Sequence, residues 1–273
     1  MNSYFVVKCC VLLQLIHLPH YSCVFECIDY TYNHCFIKMH SCRRLDDPIA
    51  LKREFQTLAQ CANYARERGA LAFNYSPPQA ARLRKNVDYL PNCQILGCPD
   101  IGYTNMINDS DYDYYTVYKN LSEESTCIKW MGMFHLFQEK MNYIDSVSAC
   151  QSIGGDLANV VSETRTNALS LLLSNKLTDW QKVAYVGLDD RRKEGRFVTS
   201  LGNFLSCYKY RAWGPGQPRS KHRNEDCVLL DSDKTWRVVN CKLKFSALCE
   251  IYPKIPPCST STIRSERGCE LIH

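Results

Sequence analysis

Apolar positions recur at helical spacing in three stretches of the chain. Between Glu54 and Arg68, Phe55, Leu58, Ala62 and Ala65 fall three and four residues apart, and Gly69 follows as a stop. Between Asn142 and Ile153, Tyr143, Val147 and Cys150 share one face, and Gly154-Gly155 ends the run. Ser162 is a fitting N-cap for a third helix reaching about Ser174, with Glu163 in its first turn and Leu169, Leu172 and Leu173 as its stripe. Elsewhere the pattern changes to short runs rich in aromatic and β-branched residues. Leu71–Tyr75, Cys93–Leu96, Tyr114–Tyr118, Val183–Leu188, Cys227–Leu230, Thr235–Asn240 and Ala247–Tyr252 are therefore expected as strands. The pattern predicts an α+β protein.

The N-terminus is patterned differently. Tyr4 to Leu18 is mostly apolar, interrupted by Lys8. That is the length of a signal-peptide core and short of the ~20 residues that span a bilayer. A signal peptide over residues 1–22 is expected, with a retained signal anchor as the alternative. Residues 23–118 then form a first unit, 119–126 a polar linker, 127–252 a second unit, and 253–273 a tail carrying Cys258 and Cys269.

Composition changes the picture mainly through cysteine. The chain of 273 residues has 17 Cys, and their spacing lacks the paired repeats of a zinc ribbon. A disulfide framework in an oxidising compartment is the expectation, so the mature protein should be secreted. The sequons at Asn74, Asn108 and Asn120 are candidate glycosylation sites in that setting. A net charge of +5 is too small to suggest nucleic-acid binding. No stable membrane insertion is expected of the mature chain. His34, His40, His135, His222 and His273 have no metal-ligating spacing, and no nucleophile motif precedes a helix, so no enzyme activity and no cofactor are expected.

Between Cys150 and Cys249 lie Gly154-Gly155-Asp156-Leu157-Ala158, Tyr185-Val186-Gly187-Leu188, Trp213-Gly214-Pro215-Gly216-Gln217-Pro218, Asn224-Glu225-Asp226-Cys227, Trp236 and Cys241. In order and spacing this set resembles a C-type lectin-like domain over about 127–252. The resemblance implies two helices, a long loop region and antiparallel strands, with Cys150–Cys249 and Cys227–Cys241 as structural bridges. Cys127 matches the first member of the family's extra N-terminal pair, but Met133 stands in place of the second; a Cys127–Cys207 bridge is one way to pair it. More weakly, the helix of the first unit followed by Ala72-Phe73-Asn74-Tyr75 and Cys93-Gln94-Ile95-Leu96 resembles a PAN/apple domain, a small disulfide-rich fold of helix plus sheet. Ala65 and Ala70 stand where that family has cysteines.

Sugar-binding members of the lectin family use a calcium ion, which takes six to eight oxygens. The resemblance maps their ligand positions onto Gln217, Arg219, Glu225, Arg237 and Val238. Arg219 and Arg237 bring only donors and positive charge, and Val238 brings no oxygen. No metal is therefore expected at this site; Asp189, Asp190, Asp231 and Asp233 are the residues that a relocated one would need. Pro218 can keep a cis bond for loop shape. In place of calcium, Tyr208–Asn224 carries Lys209, Arg211, Arg219, Lys221 and Arg223 with no Asp or Glu. Guanidinium groups bind sulfate, phosphate and carboxylate in a fork. Gln217, Arg219, Lys221, Arg223, Glu225 and Arg237 are thus the candidate ligand-binding residues, with Arg237 expected beside the loop. Glycans, anionic polymers or extracellular proteins are the expected partners, in defence or adhesion. The competing reading is a matrix or adhesion component without sugar binding. A mature chain starting at Cys23 would hold 15 Cys, an odd number that leaves room for a disulfide-linked oligomer.

Overall fold

The computed structural model describes residues 35–47, 50–78, 91–102, 105–219 and 225–253. The expected signal peptide, most of the tail, Lys221 and Arg223 lie outside these residues.

The first unit opens with β1 (Ile37–His40), β2 (Arg43–Leu45) and β3 (Leu51–Arg53). Helix α1 (Leu58–Glu67) follows, with Thr57 and Gln60 capping one another reciprocally. Thr57 starts it three residues later than the apolar spacing suggested. Gly69, at φ 65°, turns the chain out of the helix. Then come β4 (Ala72–Tyr75), β5 (Cys93–Leu96), β6 (Met106–Asn108) and β7 (Asp113–Thr116). Five strands form an antiparallel sheet in the order β1-β7-β4-β5-β3, and β2 pairs with β6 apart from it. Helix α1 packs on the sheet through Cys61 and Ala65 against Phe73, Cys93 and Ile95, and Cys61 is bonded to Cys93.

The second unit is built on an eight-stranded sheet. It begins with β8 (Thr126–Ile128) and β9 (Gly132–Met141), followed by α2 (Tyr143–Ser152), β10 (Gly155–Leu157) and α3 (Glu163–Lys176). Asn142 and Ser162 cap the two helices by accepting from Asp145 N and Arg165 N. The remaining strands are β11 (Val183–Asp189), β12 (Val198–Thr199), β13 (Cys227–Asp231), β14 (Trp236–Val239) and β15 (Phe245–Ile251). The main path runs β14-β13-β11-β15-β9-β8, with β10 on β15 and β12 on β11. Among the described strand pairs of this sheet, only β11–β15 is parallel. Among the described residues the chain thus has three α-helices in a mixed α/β arrangement, two of them in the second unit.

Two glycines show why the sequence pattern is so constrained. A Cβ on Gly155 would come within 2.0 Å of the Glu250 carbonyl oxygen, and one on Gly187 within 2.4 Å of the Leu157 carbonyl. Backbones meet there too closely for any side chain. One core lies between α3 and the sheet and includes Leu169, Leu173, Val186, Val228, Trp236 and Leu248. A second, under α2, surrounds the Cys150–Cys249 bridge with Tyr143, Tyr185 and Ala247. Cys227–Cys241 joins β13 to the end of β14.

The structure corrects one pairing. Cys127 bonds Cys98 of the first unit, not Cys207, which is itself disulfide-bonded. Strand β8 places Cys127 at the sheet edge facing the first unit, where its partner lies 5.9 Å away between Cα atoms. The junction is reinforced by Trp130 N donating to Gly97 O and by the Tyr118 hydroxyl on Ile251 O. A second correction concerns Asn74. It lies in β4 between β5 and β7 at 0% exposure, its amide donating to Leu45 O and Gln94 Oε1. A glycan cannot be accommodated there in the folded chain. Asn108 and Asn120 are exposed.

Candidate functional site

The chain between β12 and β13 forms the long loop of the second unit. Aromatic residues fix its first half. Trp236 of β14 is fully buried, with Tyr210 and Trp213 edge-on to it at 5.5 and 5.4 Å. Phe197 packs on Trp213 at 4.9 Å. Backbone bonds lock the loop to the strand: Trp236 N donates to Ala212 O at 2.7 Å, and Gly214 N to Trp236 O at 3.0 Å. The Gln217–Pro218 peptide is cis. The Gln217 Oε1 accepts the backbone N–H of Val238 at 2.9 Å. That oxygen, the ligand atom the resemblance would have offered to calcium, is engaged within the protein.

The loop's cations differ in their surroundings. Lys209, Arg211 and Arg219 are exposed and have no ion pair among the described residues. Arg211 instead donates to the carbonyls of Tyr208 and Tyr210 at 2.7 and 2.6 Å, which curls it back onto its own loop. Arg237 departs from expectation. Trp236 and Val238 face the core shared with α3, so alternation along the strand sends Arg237 to the other side. There its guanidinium meets Asp231 of β13 at 3.1 Å. Its strand lies beside the loop as expected, but its charge is matched within the sheet. Glu225 is half-buried next to Cys227 of β13.

The remaining carboxylates are mostly engaged. Asp189 holds Arg191 at 3.1 Å and accepts the Tyr143 hydroxyl at 3.0 Å. Asp233 caps Thr235, and Asp231 holds Arg237. Among the described residues, no cluster of three or more His, Cys, Asp or Glu is placed to hold a metal ion. Asp190 is the exception to the pattern of engagement. It is 3% exposed, accepts Gly195 N at 2.8 Å with one oxygen, and leaves the other without a hydrogen-bond partner. Burial pushes its carboxyl up to about 6, helped by the nearby charges of Glu194 and Asp226.

The sequence reading missed one ion pair. Arg165 of α3 pairs closely with Glu250 of β15, which is 6% exposed, and also donates through Nε to Asn159 O at 2.8 Å. Burial raises the Glu250 carboxyl's affinity for its proton against the pull of Arg165. The Cys249-Glu250 pair was visible as a motif, but nothing local linked it to a residue 85 positions away.

Comparison with known proteins agrees with this geometry. Residues 139–251 match the family model of the lectin C-type domain. Over 200 residues the chain is 28% identical to collectin-10 of Gallus gallus, covering 72% of this chain and 57% of the relative. It is 34% identical over 94 residues to the mannose-binding protein of Gallus gallus, covering 34% of each. The chain spans about half the length of the collectin-10 relatives it matches, 57% and 42% for those of Gallus gallus and Xenopus tropicalis. Among solved structures, human lithostathine aligns at 25% identity with a TM-score of 0.43, over 48% of this chain and 90% of its own. Residues 139–251 thus carry a C-type lectin domain, resting on the family match. No described helix is long and apolar enough to cross a membrane.

Proposed function

We propose that this chain is a secreted recognition protein whose lectin domain binds anionic glycans or polymers without calcium. Similarity to collectins and to a mannose-binding protein supports a glycan-recognition role. The observation that carries the calcium-free reading is the Gln217 oxygen held by Val238 N–H, next to Arg219, which supplies positive charge in place of an oxygen. An ion requiring six to eight oxygens finds poor support in that set. The exposed cations Lys209, Arg211 and Arg219 would meet the ligand, with Lys221 and Arg223 extending the same basic run. Binding is non-covalent, and no catalytic step is assigned.

The first unit is read as PAN/apple-like, a reading supported by α1 crossing a five-stranded sheet and by the Cys61–Cys93 bond. The proposed boundaries are residues 23–118 for this unit and 127–252 for the lectin unit. Secretion is supported by the disulfides that link and staple both units.

A glycan array probed with and without chelator tests the proposal. Sulfated and acidic glycans should bind equally in both conditions, and neutral mannose or galactose should give no chelator-sensitive signal. Release of a neutral sugar by chelator alone would overturn it.

A further inference from the structure

A cavity of about 310 Å³ lies away from the lectin loop, where the first unit meets the stretch leading to β8. Its walls include Asp100, Tyr114, Tyr118, Met39, Leu121 and Glu123. The volume is at the low end of small-molecule sites, which begin at roughly 300 Å³.

The charge of this cavity is one-sided. Asp100 is 8% exposed, and no cation lies within salt-bridge distance of it among the described residues. Among the described residues its carboxylate accepts from Asn105 alone, through the backbone N–H and the side-chain amide, each at 3.4 Å. The Tyr114 hydroxyl is already engaged, accepting Asp100 N at 2.9 Å, and the Tyr118 hydroxyl donates to Ile251 O. Burial raises the proton affinity of the Asp100 carboxyl, and the titratable group that opposes this is His40, whose imidazole burial and Arg43 push toward its neutral form. At neutral pH, therefore, little positive charge faces the carboxylate. Glu123, exposed at the rim, adds a second negative group. A buried carboxylate is costly unless something pairs with it. Among the described residues the lining offers acids, two tyrosine rings and the apolar surfaces of Met39 and Leu121, and no lysine or arginine. Aromatic faces and carboxylates together favour a cation that also carries apolar surface.

We propose that this cavity binds a small organic ammonium ion, with its charged nitrogen on Asp100 and its hydrocarbon part against Tyr114, Tyr118, Met39 and Leu121. The site is independent of the lectin loop. It gives the chain a second ligand of opposite charge to the first.

The test is a titration of the full mature chain with n-butylammonium, followed by amide shifts in two-dimensional nuclear magnetic resonance. n-Butanol serves as the neutral match of the same shape, and sodium chloride as the ionic control. Saturable shifts should be confined to Met39 and residues 99–102 and 114–123, appear with butylammonium, and be absent with butanol and salt. Asp100→Asn should weaken binding at least tenfold while leaving heparin binding unchanged. Glu123→Gln, at an exposed position, should weaken it two- to fivefold and keeps the test decisive if Asp100→Asn fails to fold. Equal response to butanol, unchanged affinity in either variant, or no saturation at millimolar butylammonium would overturn the proposal.

Discussion

Arginine is used in two different ways by the interior of the lectin domain and by its long loop. Inside, Arg165 meets Glu250 across α3 and β15, and its guanidinium carbon also lies 5.6 Å from the centre of the Phe134 ring. On the loop, Arg219 is exposed with no described carboxylate beside it. Arg237 resembles the interior case, although sequence order placed it with the loop, because Asp231 claims it. A cation matched inside the fold holds elements together and is withdrawn from ligands. A cation left unmatched on a loop pinned by Trp213 and Trp236 contributes little to folding and remains available for binding.

The interior half of that comparison is broken most severely by Arg165→Met. Glu250 would be left buried without its partner, and removing one member of a buried pair costs about 3–5 kcal/mol. Partial exposure of Arg165 places the expectation near the low end, at about 3 kcal/mol, measured by urea denaturation. A loss within 0.5 kcal/mol would mean that the pair does not stabilise the fold.

Replacing Cys227 and Cys241 by Ser should have a similar effect. Their separation of 14 residues corresponds to about 3 kcal/mol in the chain-entropy model. The loss should appear as a lowered Tm under non-reducing conditions, with the position of α2 unaffected because Cys150–Cys249 persists.

A third effect sharpens the comparison through pH. Asp190 holds its proton more tightly in the folded chain, at about 6, than at its ordinary value of 3.8. Its contribution is thus fully present below about pH 4 and is lost as pH rises through 6. Asp190→Asn removes this dependence. The variant's stability relative to wild type should rise between pH 4 and pH 7; a difference independent of pH would refute the assignment. Asp226, raised in the same direction, leaves a residual slope in the variant.

The parts of the fold that were readable in advance are those whose causes are local. Ser162 and Asn142 cap helices within three residues of themselves, so motif and cause coincide; Gly155 and Gly187 were legible as motif residues, while their cause is contact with the distant backbone of Glu250 and Leu157. β9 was not foreseen. Its ten residues, Gly132–Met141, are buried at one end and exposed at the other, and they pair with β15, over a hundred positions away. The Cys98–Cys127 bond was missed for the same reason, since it depends on how the two units meet. Asn74 reads as a sequon but sits in a strand with neighbours on both sides. At the loop, residue types were legible and partners were not. Arg237 could be identified as a cation, whereas its pairing with Asp231 follows from strand alternation and register.

Heparin affinity of the triple variant Lys209→Ser, Arg211→Ser, Arg219→Ser, measured in chelator at several salt concentrations, tests the central claim most directly. All three side chains are exposed, so stability should change by less than about 0.5 kcal/mol for each substitution. Wild type should bind in the presence of chelator and weaken steeply as salt shortens screening below about 8 Å, while the variant should bind at least tenfold more weakly with a shallower salt dependence. Equal affinity and equal salt dependence for the two proteins would contradict the account.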